Sequence, residues 1–244
     1  MELIYDFIVN PNNLIYALGT AFVIQLAIYF GVCGYIVVGN RAMYQWFKIG
    51  LVLDERELKP DQIRGEIGSS LVICVVYASY LVLCCRLSSG IYPQSGWEVI
   101  WQMFAFLLFY DFLNYFTHRV LHSKRFGRIH RHHHASIRVT PWSSSSLHPA
   151  EAVLNQIPFV LFVLLVPVSS LTIIAFYVFF MFGMANAHGN YSIIGNWSGF
   201  AGLKRFLRFH QRHHEFGNVN YGFAGTHWDF VFGTHYQENS HTVL

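Results

Sequence analysis

Three long stretches of this 244-residue chain contain no charged side chain, and they limit its fold more than any other feature. They cover residues 14–38, 67–85 and 157–187. Each reaches or exceeds the roughly 18–20 residues that cross a bilayer core as a helix. Charged residues make up only 12% of the chain, which leaves too little polar surface to enclose three such runs in a soluble core. The sequence therefore predicts an all-α integral membrane protein.

A further span is predicted at 97–116, and the basic residues predict how the spans are oriented. Lysine and arginine collect on the cytoplasmic side of membrane proteins. Placing 40–66, 117–152 and 198–244 on that side puts all of the 16 basic residues there except Arg86. We therefore expect the N-terminus to face the lumen or periplasm, without a cleavable signal peptide because its first residues carry no basic group.

The last apolar run contains Pro167, which interrupts a helix because proline lacks the backbone donor. Two helices, at about 150–166 and 169–187, are expected to enter and leave the membrane on one side as a hairpin. The predicted architecture is one membrane domain over 1–244, with three transmembrane helices and a membrane hairpin. A cytoplasmic helical cap at about 120–150 and 198–220 would hold a histidine-rich dinuclear metal site.

Histidines supply the main functional signal, because all fourteen lie at or after position 118. Eight of them form one H-x-x-x-H pair and two H-x-x-H-H triplets, and a ninth stands at the hairpin exit. We predict that these nine are metal ligands: His118, His122, His130, His133, His134, His188, His210, His213 and His214. Offsets of three and four are expected to put the pair, and each triplet, on one helical face. Nine imidazoles exceed the four ligands of a structural zinc site, so two ions are predicted. Imidazole binds several metals, so spacing alone does not identify the metal.

These boxes, together with three further segments, resemble the fatty acid hydroxylase and sterol desaturase superfamily. The segments are DFLNYFTHRVLH at 111–122, LHPAE at 147–151 and WDFVFGT at 228–234, and the resemblance runs from about 97 to 236. It implies a non-haem di-iron centre on the cytoplasmic face that uses O₂ to hydroxylate or desaturate a membrane lipid, such as a fatty acyl chain, sphingoid base or sterol. It also implies the endoplasmic reticulum in a eukaryote, or the inner membrane in a bacterium.

The chemistry of the residues agrees with iron and with an external source of electrons. Oxidation of an unactivated C–H bond needs a metal that changes oxidation state, which zinc does not. Zinc is nevertheless expected to replace iron in overexpressed protein, because it binds such sites more tightly. The chain has no G-x-G-x-x-G segment and no cysteine set for haem or iron–sulfur attachment. An external donor, cytochrome b5-like or ferredoxin-type with its reductase, is therefore implied. No nucleic-acid partner is expected, because the basic residues lie beside membrane spans.

Five polar residues are candidates to support the ligands from behind: Asp111, His148, Glu151, Glu215 and Asp229. Such groups accept a hydrogen bond from the second ring nitrogen of a ligating histidine and fix its tautomer. Asp111 lies two helical turns before His118, and a carboxylate exposed at the membrane interface is the alternative reading. For His148 the alternatives are metal ligation and a cap on the hairpin.

Other polar groups are assigned to the surface. The histidines expected there are His132, His227, His235 and His241. Five basic residues are expected to contact lipid phosphates, or to dock an acidic electron carrier: Arg125, Arg128, Lys204, Arg205 and Arg208.

Met184 departs from the family pattern. In many relatives a histidine or asparagine lies one turn before the lone histidine of the hairpin exit. Here that position is Met184, whose thioether suits copper(I) better than iron in an oxidising site. Asn186 lies on a different helical face. One ion is therefore expected to have fewer protein ligands than the other, with His188 as its link to the hairpin.

Two other functions use the same histidines. One is a membrane zinc hydrolase with Glu215 as general base, although no H-E-x-x-H motif is present. The other is a non-catalytic metal transporter or sensor, although transporters place their ligands near the bilayer midplane. Both fit less well than lipid oxidation. Among the oxidations, hydroxylation is preferred modestly over desaturation.

Overall fold

The computed structural model describes residues 13–193, 201–223, 225 and 227–237, with the side chains of the helix over 201–216 described from residue 208 onward. In this part of the chain the elements are, in order, α1 (Leu14–Gln45), β1 (Leu51–Val52), α2 (Gln62–Arg86), α3 (Gly96–Leu121), α4 (Gly127–His130), 3₁₀ turns at His133–Ala135 and Pro141–Ser145, α5 (Pro149–Leu165), α6 (Ser170–Ala187), β2 (Tyr191–Ser192), α7 (Ala201–Phe216) and α8 (His227–Val231).

Four helices, α1, α2, α3 and α6, are long and apolar enough to cross a membrane, and α5 is a shorter apolar helix of 17 residues. The runs predicted at 14–38, 67–85 and 97–116 lie inside α1, α2 and α3. The predicted all-α, multi-pass membrane architecture is therefore confirmed.

The last apolar run is divided at Pro167, as the sequence predicts. Ser169 begins α6 by accepting a hydrogen bond from the backbone N–H of Thr172 (3.2 Å). The connection between α5 and α6 packs against the loop between α2 and α3, where the N–H of Ser89 donates to the carbonyl of Val168 (2.9 Å). The hairpin tip therefore lies at the end of the bundle where α2 ends and α3 begins, away from the histidine boxes.

Aromatic side chains join the hairpin to α3. Phe106 of α3 stacks on Phe176 of α6, with ring centroids 4.5 Å apart, and lies 4.6 Å from Phe159 of α5. The aromatic run at 176–182 is divided between this core and the exposed surface, where Val178, Phe179 and Phe182 face outward. The stack fixes α3, α5 and α6 against one another in the interior of the bundle.

Glu66, at the start of α2, holds the loop that carries the second histidine box. Its side chain is buried and accepts hydrogen bonds from the hydroxyls of Ser136 (2.7 Å) and Thr140 (2.5 Å). A buried carboxylate is stable when donors satisfy it. The segment after His134 is therefore anchored to a membrane helix.

The loop between α1 and α2 folds over the end of the hairpin. β1 pairs with β2 in antiparallel register, with Leu51 opposite Ser192. The N–H of Asp54 donates to the side-chain oxygen of Asn190 (2.8 Å), and the amide of Gln211 donates to the Asp54 carboxylate (3.3 Å). This loop therefore connects the residues beside His188 to α7.

Candidate metal centre

All nine histidines predicted as ligands come together at one end of the helix bundle. Their ring nitrogens form two groups, and within each group the candidate ligand atoms lie within 4.8 Å of one another. We call the first the five-histidine group: His118, His122, His130, His134 and His213. We call the second the four-histidine group: His133, His188, His210 and His214.

In the five-histidine group the Nε2 atoms face one another. Nε2 of His130 lies 3.1 Å from that of His118 and 3.0 Å from that of His134. Nε2 of His213 lies 3.1 Å from that of His122 and 3.1 Å from that of His134. Two nitrogens bound to one ion at about 2.0–2.1 Å stand about 2.9–3.4 Å apart. The spacing of these atoms therefore fits a shared metal ion.

The four-histidine group has the same arrangement and is buried throughout. Nε2 of His188 lies 3.3 Å from that of His133 and 3.1 Å from that of His210. Nε2 of His214 lies 3.2 Å from that of His210. His188 is the C-cap residue of α6, so one member of this group comes from the membrane hairpin.

The expectation that the second triplet would lie on one face of a helix was wrong. In the second box, α4 ends at His130 and a 3₁₀ turn begins at His133. Because the α-helical period stops there, His133 turns toward His188 while His130 and His134 remain with the first group.

The third box lies in the regular helix α7, yet its histidines are also shared between the two groups. His210 and His214, four residues apart, belong to the four-histidine group, and His213 belongs to the five-histidine group. The rings of His210 and His213 lie 5.8 Å apart. One turn of helix therefore stands between the two groups and contributes to both.

The second ring nitrogen of several histidines is held by a protein oxygen. Nδ1 of His118 faces the carbonyl of Tyr221 (2.8 Å), and Nδ1 of His213 faces that of Val219 (2.7 Å). In the four-histidine group, Nδ1 of His188 faces the carbonyl of Met184 (2.8 Å). A carbonyl accepts only from a protonated Nδ1, which leaves Nε2 with its lone pair for a metal. The donor set therefore fits metal ions at both groups.

Burial keeps these rings neutral. It lowers the pKa of His134 to about 3 and holds the pKa values of His210, His213 and His214 well below their usual range. Neutral imidazole is the form that binds a metal. The histidine clusters could therefore bind metal without first releasing protons at neutral pH.

Glu151 makes the contact expected of a supporting carboxylate. It lies in the first turn of α5, is buried, and places Oε1 2.7 Å from Nδ1 of His130. Among the described residues, its other oxygen, Oε2, has no hydrogen-bond partner. A carboxylate on a ligand's second nitrogen fixes the ring and raises its basicity.

Asp111 and Asp229 support the site through the backbone of residues 221–223. Asp229 accepts from the N–H groups of Tyr221 (2.8 Å) and Gly222 (2.9 Å). Asp111 accepts from the N–H of Phe223 (2.9 Å). Asp111 does not contact His118 as expected, because Nδ1 of His118 faces the carbonyl of Tyr221 instead.

The other two supporting candidates face away from the site, and for them the structure corrects the expectation. His148 is exposed, and its Nδ1 accepts from the N–H of Ala150 (3.2 Å), so its contact is the helix cap. Glu215 is exposed and pairs with Arg212 (2.7 Å). A zinc hydrolase that uses Glu215 as its base therefore loses its positional support.

The remaining histidines divide as follows. His132 is exposed, as predicted. His227 is half exposed and pairs with Asp111, with 2.7 Å between Nε2 and Oδ2. His235 contacts the side chain of Gln237 (3.1 Å). The expectations for His241 and for the side chains of Lys204 and Arg205 lie outside the described residues.

Sequence reasoning missed the backbone carbonyls that hold the rings, those of Met184, Val219 and Tyr221. Every residue has a carbonyl, so no residue type marks them. Gly222 was an available signal, because a Cβ at that position would overlap the carbonyl oxygen of Gly225. Only glycine fits this close approach, beside the turn that supports His118.

A cavity of about 40 Å³ lies between the two groups and the membrane helices. Histidines of both groups line it, together with apolar and aromatic side chains of α2, α3 and α6 and with Glu151 and Asn155 of α5. This space holds a few water-sized molecules. A molecule in this cavity lies beside histidines of both groups.

Comparisons with known proteins agree with this geometry. Among similar curated proteins, the Delta(7)-sterol 5(6)-desaturase of Leptosphaeria maculans is 27% identical over 220 residues, covering 86% of this chain and 60% of its own. The lathosterol oxidase of Homo sapiens is 27% identical over 150 residues, covering 59% of this chain and 48% of its own. The chain thus spans about half to three-fifths of the length of these relatives.

No solved structure matches the chain significantly. The family model described as fatty acid hydroxylase matches residues 103–234, more than half of the chain and all nine histidines. The chain therefore belongs to the fatty acid hydroxylase family.

Proposed function

We propose that this protein oxidises a membrane lipid with O₂ at a di-iron centre held by the nine histidines. The observation that carries the proposal is the division of nine buried or half-buried imidazoles into two groups that share one cavity. Each group has at least the four nitrogens that a metal needs. The metal pair, when bound, supplies the change of oxidation state that C–H oxidation requires.

The protein side chains position and shield this chemistry. Carbonyls of Tyr221, Val219 and Met184 hold ligand rings so that their Nε2 atoms converge. Apolar walls limit water at the reacting position, which protects reactive intermediates from side reactions. The proposed ligand roles of all nine histidines, and the supporting role of Glu151, rest on these contacts.

We place the histidine end on the cytoplasmic side and propose that it receives electrons from an external acidic carrier. Residues 119–131 include five exposed cations and no acid: Arg119, Lys124, Arg125, Arg128 and Arg131. This segment contains His122 and His130 and so lies directly over the five-histidine group. Opposite charge speeds such encounters. Both a cytochrome b5-like and a ferredoxin-type donor fit this surface.

Sterols are the substrates to test first, since the relatives named above are a sterol desaturase and a lathosterol oxidase. Fatty acyl chains and sphingoid bases follow, because the family model is that of fatty acid hydroxylases. Hydroxylation and desaturation begin with the same C–H cleavage, so the product has to be measured.

The test is lipid analysis of host membranes that contain either the wild-type protein or His210→Ala, under ¹⁸O₂ and with a reductant. We expect a lipid product in the wild-type sample only. An ¹⁸O label in the product identifies hydroxylation, and a new double bond without label identifies desaturation. If iron-loaded protein consumes no O₂ with any of these lipids, or is fully active with zinc alone, the proposal is wrong.

A further inference from the structure

A groove of about 230 Å³ opens on the surface of the bundle, apart from the cavity between the histidine groups. Its walls come from the end of α1, from residues 138–141 after the second histidine box, and from residues 189–191 after α6. We call it the α1 groove. No histidine lines it in the described part of the chain, and the function proposed above does not use it.

The α1 groove lies where α1 leaves its uncharged run. Val37, which lines the groove, belongs to the run at 14–38, and Arg41, one turn later, is the first charged residue of α1. Tyr44 and Trp46 follow, and both are exposed. Tyrosine and tryptophan concentrate at the membrane–water interface. The groove therefore opens at the level of the lipid headgroups.

Two cations line the α1 groove, the exposed Arg41 and the half-buried Arg138. Nε of Arg41 donates to the side chain of Gln45 (3.1 Å), and Nη1 of Arg138 donates to the carbonyl of Arg56. Among the described residues, nothing accepts from the other guanidinium nitrogens of the two arginines. Four guanidinium nitrogens are therefore free to donate to a bound molecule.

The acids of the neighbouring loop leave this positive charge in place. The buried carboxylate of Asp54 is already occupied, since it accepts from Nε (2.9 Å) and Nη2 (2.6 Å) of Arg56. Glu55 and Glu57 are exposed and do not line the groove. With no carboxylate in its described lining, the α1 groove attracts an anion.

The rest of the lining indicates which kind of anion binds. Leu58 and Val139 give the groove apolar walls, and the exposed side chains of Tyr35 and Val38 extend an apolar surface along α1. A guanidinium group binds phosphate with two parallel hydrogen bonds. A free phosphate would leave the apolar surface uncovered, whereas a phospholipid covers it with its chains. Basic pockets beside transmembrane helices bind anionic headgroups in this way.

We propose that the α1 groove binds one anionic phospholipid, with its phosphate between Arg41 and Arg138 and its chains along α1. The volume of the groove suits the phosphate and glycerol part, so that the chains lie outside it in the bilayer. The hydroxyl of Tyr44, which also lines the groove, adds a donor. The inference does not depend on the proposed lipid oxidation.

A lipid bound here joins segments that carry the metal centre. The side chain of Asn40 donates to the carbonyl of Gly189 (3.2 Å), next to His188, and both residues line the groove. The headgroup would thus contact α1, the exit of the hairpin and the loop after the second box. A ligand that binds only the folded protein raises its melting temperature. We therefore expect an anionic phospholipid to stabilise the protein.

The test compares dioleoylphosphatidylglycerol with dioleoylphosphatidylcholine, which have the same chains but differ in net charge. Each is titrated into metal-loaded protein in detergent, and native mass spectrometry gives the dissociation constants. We expect wild-type protein to bind one phosphatidylglycerol about tenfold more tightly than phosphatidylcholine, and to melt at a higher temperature with it. In Arg41→Gln and Arg138→Gln the ratio of the two dissociation constants should fall toward one.

The matched control is Arg64→Gln, which removes an exposed cation at the start of α2, outside the groove. It should keep the tenfold ratio. Arg138→Lys, which retains the charge, should keep most of it, and the melting temperature without added lipid verifies that each variant folds.

Three results would overturn the inference. One is an unchanged ratio in both glutamine variants of the groove. Another is an equal fall in Arg64→Gln, which would show that the whole basic surface attracts the lipid without a site. The third is displacement of phosphatidylglycerol by an equal concentration of glycerol 3-phosphate, which would show a site for a soluble phosphate ester.

Discussion

The two histidine groups differ in number, in origin and in exposure. The five-histidine group takes its members from the end of α3, the second box and α7, and His122 and His134 are partly exposed. The four-histidine group is fully buried and depends on His188 from the membrane hairpin. The five-histidine group has one histidine more than a closed four-ligand site needs, and it faces the basic segment 119–131. The four-histidine group has no such extra histidine and is enclosed by the hairpin and its loops. This difference indicates that loss of a ligand has unequal consequences in the two groups.

The largest effect is expected from His188→Ala. It leaves three histidines in the four-histidine group and removes that group's connection to α6. We expect the protein to retain one metal ion instead of two and to lose essentially all activity, as measured by metal analysis and O₂ uptake.

Met184→Ala is the control, because the carbonyl that accepts from His188 belongs to the backbone and remains. It should keep nearly all its metal. Two tightly held ions with normal turnover in His188→Ala would show that His188 is not a ligand.

His122→Ala should have a smaller effect, although it also removes a predicted ligand. Four histidines remain in its group, the number that completes a closed site. We expect close to two ions per chain, faster loss of one of them to a chelator, and reduced but measurable activity. Loss of a full ion equivalent in this variant would remove the distinction between the two groups.

Glu151→Gln tests the support of the five-histidine group. The amide keeps the shape of the side chain but removes the carboxylate 2.7 Å from His130. A change in such a supporting contact typically costs about 10–100-fold in metal affinity or activity. Glu215→Gln makes the same chemical change at an exposed carboxylate paired with Arg212, and it should have no effect. Equal effects of the two variants would argue against the role of Glu151.

The smallest effect is expected at the loop beside the four-histidine group. Hydrogen bonds from Arg56 hold the pKa of the Asp54 carboxyl below its usual value. The pair of Asp54 and Arg56 therefore stabilises the folded protein above the unfolded pKa of about 3.9. This stabilisation is lost as the pH falls through the lower pKa of Asp54 in the folded protein.

Because Arg56 is about half exposed, solvent screening limits the contribution to under about 1 kcal/mol. Arg56→Gln should thus lower the melting temperature slightly at pH 7, and the difference should shrink as the pH falls below about 3.9. Arg64→Gln, which removes a distant and exposed pair with Asp61, should change nothing at either pH. A destabilisation by Arg56→Gln that does not decrease as the pH falls below about 3.9 would contradict the assignment.

The sequence predicted the features of this protein that depend on composition and on single strong residues. Uncharged runs located α1 and α2, the further span predicted at 97–116 located α3, and Pro167 located the break in the hairpin. The spacing of His118 and His122 correctly placed both in one group, since α3 is a regular helix through that region.

The division of the triplets between the two groups was not predictable from spacing. It depends on where α4 stops, and the anchoring of the following loop by Glu66 comes from a distant part of the chain. The pattern LHPAE likewise named two candidates without distinguishing them. His148 caps α5 from outside, whereas Glu151, three residues later, points into the site. Such differences depend on tertiary contacts.

The most direct test of the account is to titrate metal-free protein with ferrous iron while following O₂-dependent oxidation of the lipid product identified in the membranes. Two groups that act together predict that activity saturates at two iron ions per chain, with little activity at one. Saturation at one ion per chain would contradict the account, because a single ion would then use only one of the two histidine groups.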